Sequence, residues 1–345
     1  MKKIDIFIYG VILSALALSG CKKNKPVSNV AEGSFTGHTA KEVNVGYVDV
    51  TGSGVLTDVT GLARDLGYFE EEFGKIGVKL NLIPMTGAGP AINEALASGS
   101  LDIGSLGDVP AVLGKASGVD TKIISASDLS GGASLIAGPN TPYKSIKDLK
   151  GKSIATQRGA FMHRALATLL SEAGLTFDDI EFINVNAQTA SEMLVTGNVD
   201  AIIVGGVTLT RLYEQGYNIV VDYRESSSAK TGGVTIARTQ FIKENPDIIK
   251  AYVNAVARGR KYAIENRDAL KTLWTDTGET GDSYEYLYPE HNNYPSIIFT
   301  EESRANLKAT LQFLLDYDLI TKDRAFNIDD WYDGRFAEYA IDITK

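Results

Sequence analysis

The chain has 345 residues, of which 44% are hydrophobic and 22% charged, a composition typical of a folded protein long enough for two domains. Its formal net charge of -9 argues against unspecific binding to nucleic acid. The single cysteine, Cys21, excludes an internal disulfide, and no run of about 20 apolar residues is present to form an ordinary membrane-spanning helix.

The first 20 residues have the pattern of a secretory signal peptide. Lys2 and Lys3 are followed by an apolar run over 6–18 and by two small residues. The sequence Leu18-Ser19-Gly20-Cys21 resembles a bacterial lipobox, which implies that Cys21 is the lipidated N-terminus of the mature protein. A plain signal peptide with a coincidental cysteine is the alternative. The polar residues 21–41 are expected to form a flexible tether.

After the tether, segments with strand and helix patterns alternate. We predict early strands over 42–48, 78–84 and 101–105, with a helix over 55–66. Further strands are predicted over 122–126, 153–156, 180–185, 219–222 and 234–237, and the chain is mostly helical from Asn245 onward. This alternation predicts an α/β fold with mostly parallel sheets and helices on both faces.

A nine-residue stretch nearly repeats itself. The segment 96–104 returns as 194–202, with Leu, Gly and Asp at the same offsets. Each copy has the pattern of a helix end, a glycine stop and a short strand with an acid at its start. Two such units predict two similar lobes that face each other across a ligand cleft.

Three glycine-containing turns follow predicted strands and precede predicted helices. Ligands bind beyond the carboxyl ends of strands in open α/β sheets, and helix N-termini favour an anionic group. Each turn has a plain strand-to-helix connection as its alternative. The candidate ligand-binding residues from these turns, and from the end of the second repeated strand, are Thr86, Gly87, Ala88, Gly107, Asp108, Gly159, Ala160 and Gly205.

The order of several short motifs resembles that of a known family. The motifs are Gly46-Tyr47, 66–69, 95–102, 107–110, 148–152, Gly159 with His163, and 241–246. In this order they are similar to ABC-importer solute-binding proteins of the aliphatic sulfonate, taurine and nitrate group, and to the related thiamine-pyrimidine-precursor proteins.

The resemblance implies a periplasmic-binding-protein type II fold with two lobes joined by two crossovers. One lobe would hold residues 42–130 and 232–345, the other residues 131–231. The ligand would lie between the lobes and be buried when they close.

Four more residues are candidates near the implied cleft. Phe161 and His163 are candidate ligand contacts, with helix capping and packing as the alternative for His163. In sulfonate-binding relatives a small or hydroxyl-bearing pair usually precedes this histidine, whereas Phe161-Met162 stands here. This departure favours a larger or more apolar ligand. Asp58 and Asp128 would favour amine groups, with a helix-surface charge and a turn former as the alternatives.

The sequence therefore predicts a monomeric, lipid-anchored, extracytoplasmic solute-binding protein. It would pass a small organic anion to an ABC permease, without a cofactor, a metal, catalytic residues or nucleic acid. The alternative is an enzyme of the same fold, or a binder of a thiamine pyrimidine precursor or another aromatic metabolite. Against an enzyme, His38, His163 and His291 lack metal-ligand spacing, and no nucleophile elbow or P-loop is present.

Overall fold

The computed structural model describes residues 37–49, 54–126, 129, 131–226, 229–288 and 296–343. The predicted signal peptide, Cys21, Asp128 and His291 lie outside these residues. The last residues of the predicted tether are held by the start of a later helix, because the backbone amides of Thr39 and Ala40 both donate to Asn245 Oδ1.

Eleven strands are found in the described part of the chain. Their bounds are β1 Glu42–Val48, β2 Lys79–Met85, β3 Ile103–Gly107, β4 Thr121–Ala126, β5 Gly131–Ala137, β6 Ser153–Thr156, β7 Glu181–Asn184, β8 Ala201–Gly205, β9 Asn218–Val221, β10 Lys230–Thr231 and β11 Gly233–Arg238. They form a five-stranded sheet in the order β2-β1-β3-β11-β4 and a six-stranded sheet in the order β10-β5-β8-β6-β7, with β9 also paired to β5.

Helices flank both sheets. Their bounds are α1 Val59–Asp65, α2 Tyr68–Ile76, α3 Ala88–Ser98, α4 Asp108–Ala116, α5 Phe161–Glu172, α6 Ala187–Val195, α7 Gly206–Glu214, α8 Thr239–Glu244, α9 Pro246–Glu265, α10 Ala269–Thr275, α11 Gly281–Leu287, α12 Glu301–Asp316, α13 Ile328–Trp331 and α14 Arg335–Ile343. None of these described helices has both the length and the apolar character needed to cross a membrane.

The predicted α/β fold is confirmed, but its sheets are mixed rather than mostly parallel. β1 runs parallel to β2 and β3, and β6 runs parallel to β7 and β8. The chain leaves the first sheet after β4 and enters the second at β5, then returns at β11. Both entering strands run antiparallel to the neighbours they join, β5 to β8 and β11 to β3 and β4.

The repeated acids have the same structural role in both copies. Asp102 precedes β3, and its Oδ2 accepts a hydrogen bond of 3.0 Å from the backbone amide of Asn44 in β1. Asp200 precedes β8, and its Oδ2 accepts a 3.0 Å bond from the amide of Ser153 in β6. Each carboxylate therefore fixes the start of the adjacent parallel strand, which accounts for the acid's constant position in the repeat.

Two element boundaries differ from the prediction for identifiable reasons. The helix predicted from residue 55 begins at Val59, because the Asp58 side chain accepts hydrogen bonds from the amides of Thr60 and Gly61 and caps the helix there. The third strand begins at Ile103 rather than at residue 101, because Asp102 forms the contact with Asn44 described above.

Each sheet has its own apolar core. In the first, Ile92 and Val112 pack with Leu314 and Trp331 from the C-terminal helices. In the second, residues of β5, β6 and β8 pack under α5. Phe161 and Phe177 contact both cores, so the flank of α5 forms a continuous apolar connection between the two sheets.

The close approach of α3 to α4 predicts a specific effect of enlarging Gly89. A Cβ atom at Gly89 would lie 2.3 Å from the Cβ of the rigid Pro110 ring. We expect Gly89→Ala to lower the free energy of unfolding by about 1–3 kcal/mol through overpacking, as measured by urea denaturation.

Gly74 provides a matched control within α2. A Cβ there would meet no atom within 4 Å, so Gly74→Ala is expected to stabilise the protein by about 0.5–1 kcal/mol through helix propensity. Equal effects of the two substitutions would contradict the packing argument.

Candidate functional site

A cavity of about 420 Å³ lies at one edge of the first sheet. The carboxyl ends of three strands contribute to its wall, with Tyr47 and Val48 from β1, Gly107 from β3 and Ala126 from β4. The start of the antiparallel strand β11 completes this wall at Gly233 to Thr235. The position is the one that open α/β sheets use for ligands.

Helices and a late loop cover the cavity on its other sides. The N-terminal end of α1 contributes Asp58, and α9 contributes Tyr252. Two further tyrosines, Tyr284 in α11 and Tyr288 just after it, also line the cavity, with their ring centroids 5.1 Å apart. The lining therefore combines aliphatic side chains, serine and threonine hydroxyls and tyrosine rings.

Asp58 is the one charged side chain among the described residues that line the cavity. Its Oδ1 accepts bonds of 2.9 Å and 3.0 Å from the amides of Thr60 and Gly61. The side chain lines the cavity, and part of its surface is accessible to solvent. Burial raises the pKa of the Asp58 carboxyl, and the capping hydrogen bonds offset this in part.

Of the predicted ligand-binding residues, Gly107 lines the cavity. Thr86, Gly87 and Ala88 lie at the start of α3, and Asp108 begins α4 behind Gly107. Gly159, Ala160, Phe161, His163 and Gly205 belong to the second sheet and its helices. Apart from Gly107, none of these is among the cavity's lining residues, and their role in binding stays a prediction.

The first predicted turn is shaped by backbone constraints. Gly87 caps α3, and Ala88 adopts a left-handed backbone with φ of +52°, which is strained for a residue with a side chain. At the end of β8, a Cβ on Gly205 would lie 2.2 Å from the carbonyl oxygen of Gly132. Glycine at 205 is therefore required for the pairing of β8 with β5.

Asp108 is the first residue of α4, because Gly107 occupies the N-cap position. Its buried carboxylate joins three helices. Oδ2 accepts hydrogen bonds from Arg164 in α5 at 3.1 Å, from Asn306 in α12 at 2.6 Å and from Thr310 in α12 at 3.3 Å. The ion pair with Arg164 is almost fully buried, with 1% and 7% of the two side chains exposed.

His163 is packed inside a cluster of aromatic rings. Its ring centroid lies 5.1 to 5.7 Å from those of Phe177, Phe182, Phe313 and Tyr317. Its Nδ1 accepts a hydrogen bond of 3.2 Å from the backbone amide of Gly159. Burial, and secondarily the charge of Arg158, lower the pKa of His163 to about 4, so the ring is neutral at physiological pH.

Sequence reasoning missed the aromatic wall of the cavity. Tyr252, Tyr284 and Tyr288 come from the helical C-terminal part, nearly 200 residues or more after Asp58 in the chain. No local motif connects them to the turns of the first sheet. The one signal was an excess of tyrosine, 16 residues against 12 phenylalanines, which gives no positions.

The model of the NMT1/THI5 like family matches residues 58–269, more than half of the chain. The chain belongs to this family. A Bacillus subtilis (strain 168) relative that is named an aliphatic sulfonates-binding protein is 27% identical over 286 residues, which cover 81% of this chain and 84% of the relative. The family resemblance stated from the sequence motifs is thereby confirmed.

Solved structures agree on the fold. The structure of a periplasmic sulfonate-binding protein, SsuA from Methylobacillus flagellatus KT, matches with a TM-score of 0.77 and 26% identity over 89% of this chain and 95% of that protein. The desulfurization enzyme DSZB matches with a TM-score of 0.72 and 16% identity, over 88% of this chain and all of DSZB. The fold is therefore shared by binding proteins and by at least one enzyme.

The burial of His163 predicts a pH effect on stability. Unfolded, this histidine binds a proton near pH 6.5, whereas the folded ring does so near pH 4. Between these values the unfolded state binds more protons, so the free energy of unfolding falls as the pH is lowered from about 6.5 to about 4.

His163→Asn keeps an acceptor for the Gly159 amide but removes the titrating ring. The variant should therefore lose less stability than the wild type between about pH 7 and about pH 4.5, as measured by urea unfolding at both pH values. An equal loss in both proteins would show that His163 does not contribute to the pH dependence.

Proposed function

We propose that this protein is the extracytoplasmic solute-binding component of an ABC importer and that it binds a small organic molecule in the cavity of the first sheet. The cavity is the observation that carries the proposal, because it lies at the sheet edge where ligands of α/β proteins bind. The Bacillus and Methylobacillus relatives, which are named as binding proteins, support the same class of function.

The cavity wall is suited to binding of moderate strength. Apolar side chains such as Val48, Leu106 and Ile297 lie beside the hydroxyls of Ser105 and Thr235. A micromolar dissociation constant requires about 8 kcal/mol. Burial of an apolar ligand body together with a few hydrogen bonds supplies free energy of this size.

We further propose that residues 42–130 with 232–345 and residues 131–231 act as two lobes that close on the ligand. The chain crosses between the sheets twice, after Ala126 and before Gly233. Two such crossings form a natural hinge, since few residues need to change their backbone angles.

Helix α11 links the cavity to the second lobe. Tyr284 of α11 lines the cavity, while Tyr286 of the same helix donates a hydrogen bond of 3.2 Å to Asp222 in the second lobe. Tyr223 donates a 2.6 Å bond in the opposite direction, to the carbonyl oxygen of Leu287. A ligand that orders Tyr284 would therefore favour the arrangement in which these bonds between the lobes are made.

The sequence suggests a small organic anion related to sulfonates as the ligand. This cavity offers such an anion little positive charge. Among the described lining residues no lysine or arginine is present. Hydroxyls and backbone amides would have to hold an anion by hydrogen bonds. The larger or more apolar ligand that Phe161-Met162 favours is compatible with the aromatic wall.

The proposal predicts that the bound compound is released without chemical change and that the two lobes close when it binds. Small molecules that copurify with the full chain would be released by unfolding, identified by mass spectrometry and titrated back by calorimetry. We expect one site of about micromolar affinity and a smaller radius of gyration by X-ray scattering with ligand. Release of a chemically altered compound would instead identify an enzyme of this fold, the class to which DSZB belongs.

We also propose that Cys21 carries a lipid anchor, on the basis of the Leu18-Ser19-Gly20-Cys21 sequence. Cys21→Ser removes the thiol to which the lipid would be attached, so the variant should move from the membrane fraction to the soluble fraction of the producing cells. Ser19→Ala, which keeps the cysteine and a small residue before it, serves as the control. Membrane association of the Cys21→Ser protein would exclude the anchor.

A further inference from the structure

We propose that the ligand of the cavity carries a protonated amine, which pairs with the Asp58 carboxylate and lies among the tyrosine rings of α9 and α11. This inference rests on the proposed binding function and names the chemical class of the ligand.

The position of Asp58 leaves part of its carboxylate available to a ligand. Oδ1 is engaged by the two amides of the helix cap. Among the described residues, Oδ2 receives a long contact of 3.4 Å from the Thr60 hydroxyl. Because Asp58 lines the cavity and its side chain is accessible there, a donor in the cavity can reach this second oxygen.

Two arginines of α1 and α9 form their ion pairs and hydrogen bonds with groups other than Asp58. Arg64, one helical turn and a half further along α1, donates to the Asp65 carboxylate and to the carbonyl oxygen of Gly54. Arg258 of α9 pairs with Glu71 and Glu72. No cationic side chain forms a hydrogen bond with Asp58 among the described residues, although the charge of Arg64 acts on Asp58 from a distance. A cationic ligand group would supply the missing charge.

The aromatic residues favour the same class of ligand. The rings of Tyr252, Tyr284 and Tyr288 line the cavity together with Asp58. Desolvation, and secondarily the charge of Asp58, raise the pKa values of the Tyr252 and Tyr288 hydroxyls, so these side chains are neutral. Neutral aromatic rings attract an ammonium group through their π-electrons by about 0.5–2 kcal/mol each.

The same arrangement disfavours a bare anion. A carboxylate inside a cavity repels a second negative charge more strongly than it would in water, because the effective dielectric constant is lower. No basic side chain is among the described lining residues, so the lining itself offers an anion no opposite charge. A ligand with both an amine and an acid would place its amine toward Asp58.

The test uses three matched probes that differ in one terminal group: 3-phenylpropan-1-amine, 3-phenylpropan-1-ol and 3-phenylpropane-1-sulfonate. Calorimetric titration of the full chain carrying Cys21→Ser, at about pH 7, should show the amine binding at least about tenfold more tightly than the alcohol. The sulfonate should bind most weakly. Tenfold corresponds to about 1.4 kcal/mol.

Asp58→Asn separates ligand binding from helix capping, because asparagine caps a helix as well as aspartate does. We expect this variant to lose the amine preference by about tenfold, with alcohol binding and the urea midpoint unchanged. Asp65→Asn removes the same charge from the opposite end of α1, away from the cavity lining, and should keep the preference.

Three results would overturn the inference: tighter binding of the sulfonate than of the amine, an amine preference that persists in Asp58→Asn, or no amine binding at millimolar concentration. Sulfonate binding without amine binding would overturn the inference and leave the proposed transport function in place. Chemical conversion of a bound probe would overturn the transport function instead.

Discussion

The buried contact of Asp108 with Arg164 and Asn306 is the interaction on which the relation between the two sheets depends. Asp108 begins α4 directly after the cavity residue Gly107, Arg164 lies in α5 of the second sheet, and Asn306 lies in α12. Removing one partner of such a buried pair typically costs about 3–5 kcal/mol, because a buried charge is left uncompensated. In the arrangement described here the pair ties the end of β3, and with it one wall of the cavity, to α5 of the second sheet.

This network also explains why the start of α4 is a poor site for an anion. The helix N-terminus carries a positive partial charge, which a ligand would otherwise use. Here the Asp108 carboxylate already occupies that position, since its Oδ1 accepts a bond of 2.7 Å from the Val109 amide. The positive end of α4 is therefore neutralised from within the protein, and Arg164 is engaged with the same carboxylate. Asp58 remains the one charged side chain among the described residues that line the cavity.

Local patterns predicted the fold well because local chemistry determines most of it. The strand over 42–48 was predicted with its observed bounds, since its alternating apolar residues are followed by a glycine-containing sequence. The repeat revealed the paired β-α-β units, because Asp102 and Asp200 make the same contact in each. The strand β5 was not predicted, and the antiparallel direction of β11 was missed, since strand direction depends on which neighbours a strand joins and not on its own residues.

The site was less predictable, for a physical reason. Glycine turns have a recognisable sequence, and one of them, at Gly107, does line the cavity. The lining residues Tyr252 and Tyr284 have the same sequence pattern as core residues of amphipathic helices. Their role depends on how α9 and α11 pack on the first sheet, which no spacing in the sequence encodes. For Asp58 the sequence offered both a helix-surface charge and an amine-binding acid; the structure makes it the N-cap of α1 and a lining residue of the cavity, and its role in binding stays a proposal.

Both copies of the repeat contain a helix end followed by a strand. The cavity lies beside the first copy, at the end of β3. The difference comes from the chain that follows β11. Helices α9, α10 and α11 enclose the cavity with Tyr252, Leu270 and Tyr284. The segment from β5 to β10 contains α5, α6 and α7. An α/β unit supplies the strand ends and turns at which a ligand can approach. Additional helices are required to exclude water around the ligand. In this chain they enclose the cavity at the first sheet. Asp58, the one charged side chain among the described lining residues, lies in the same cavity.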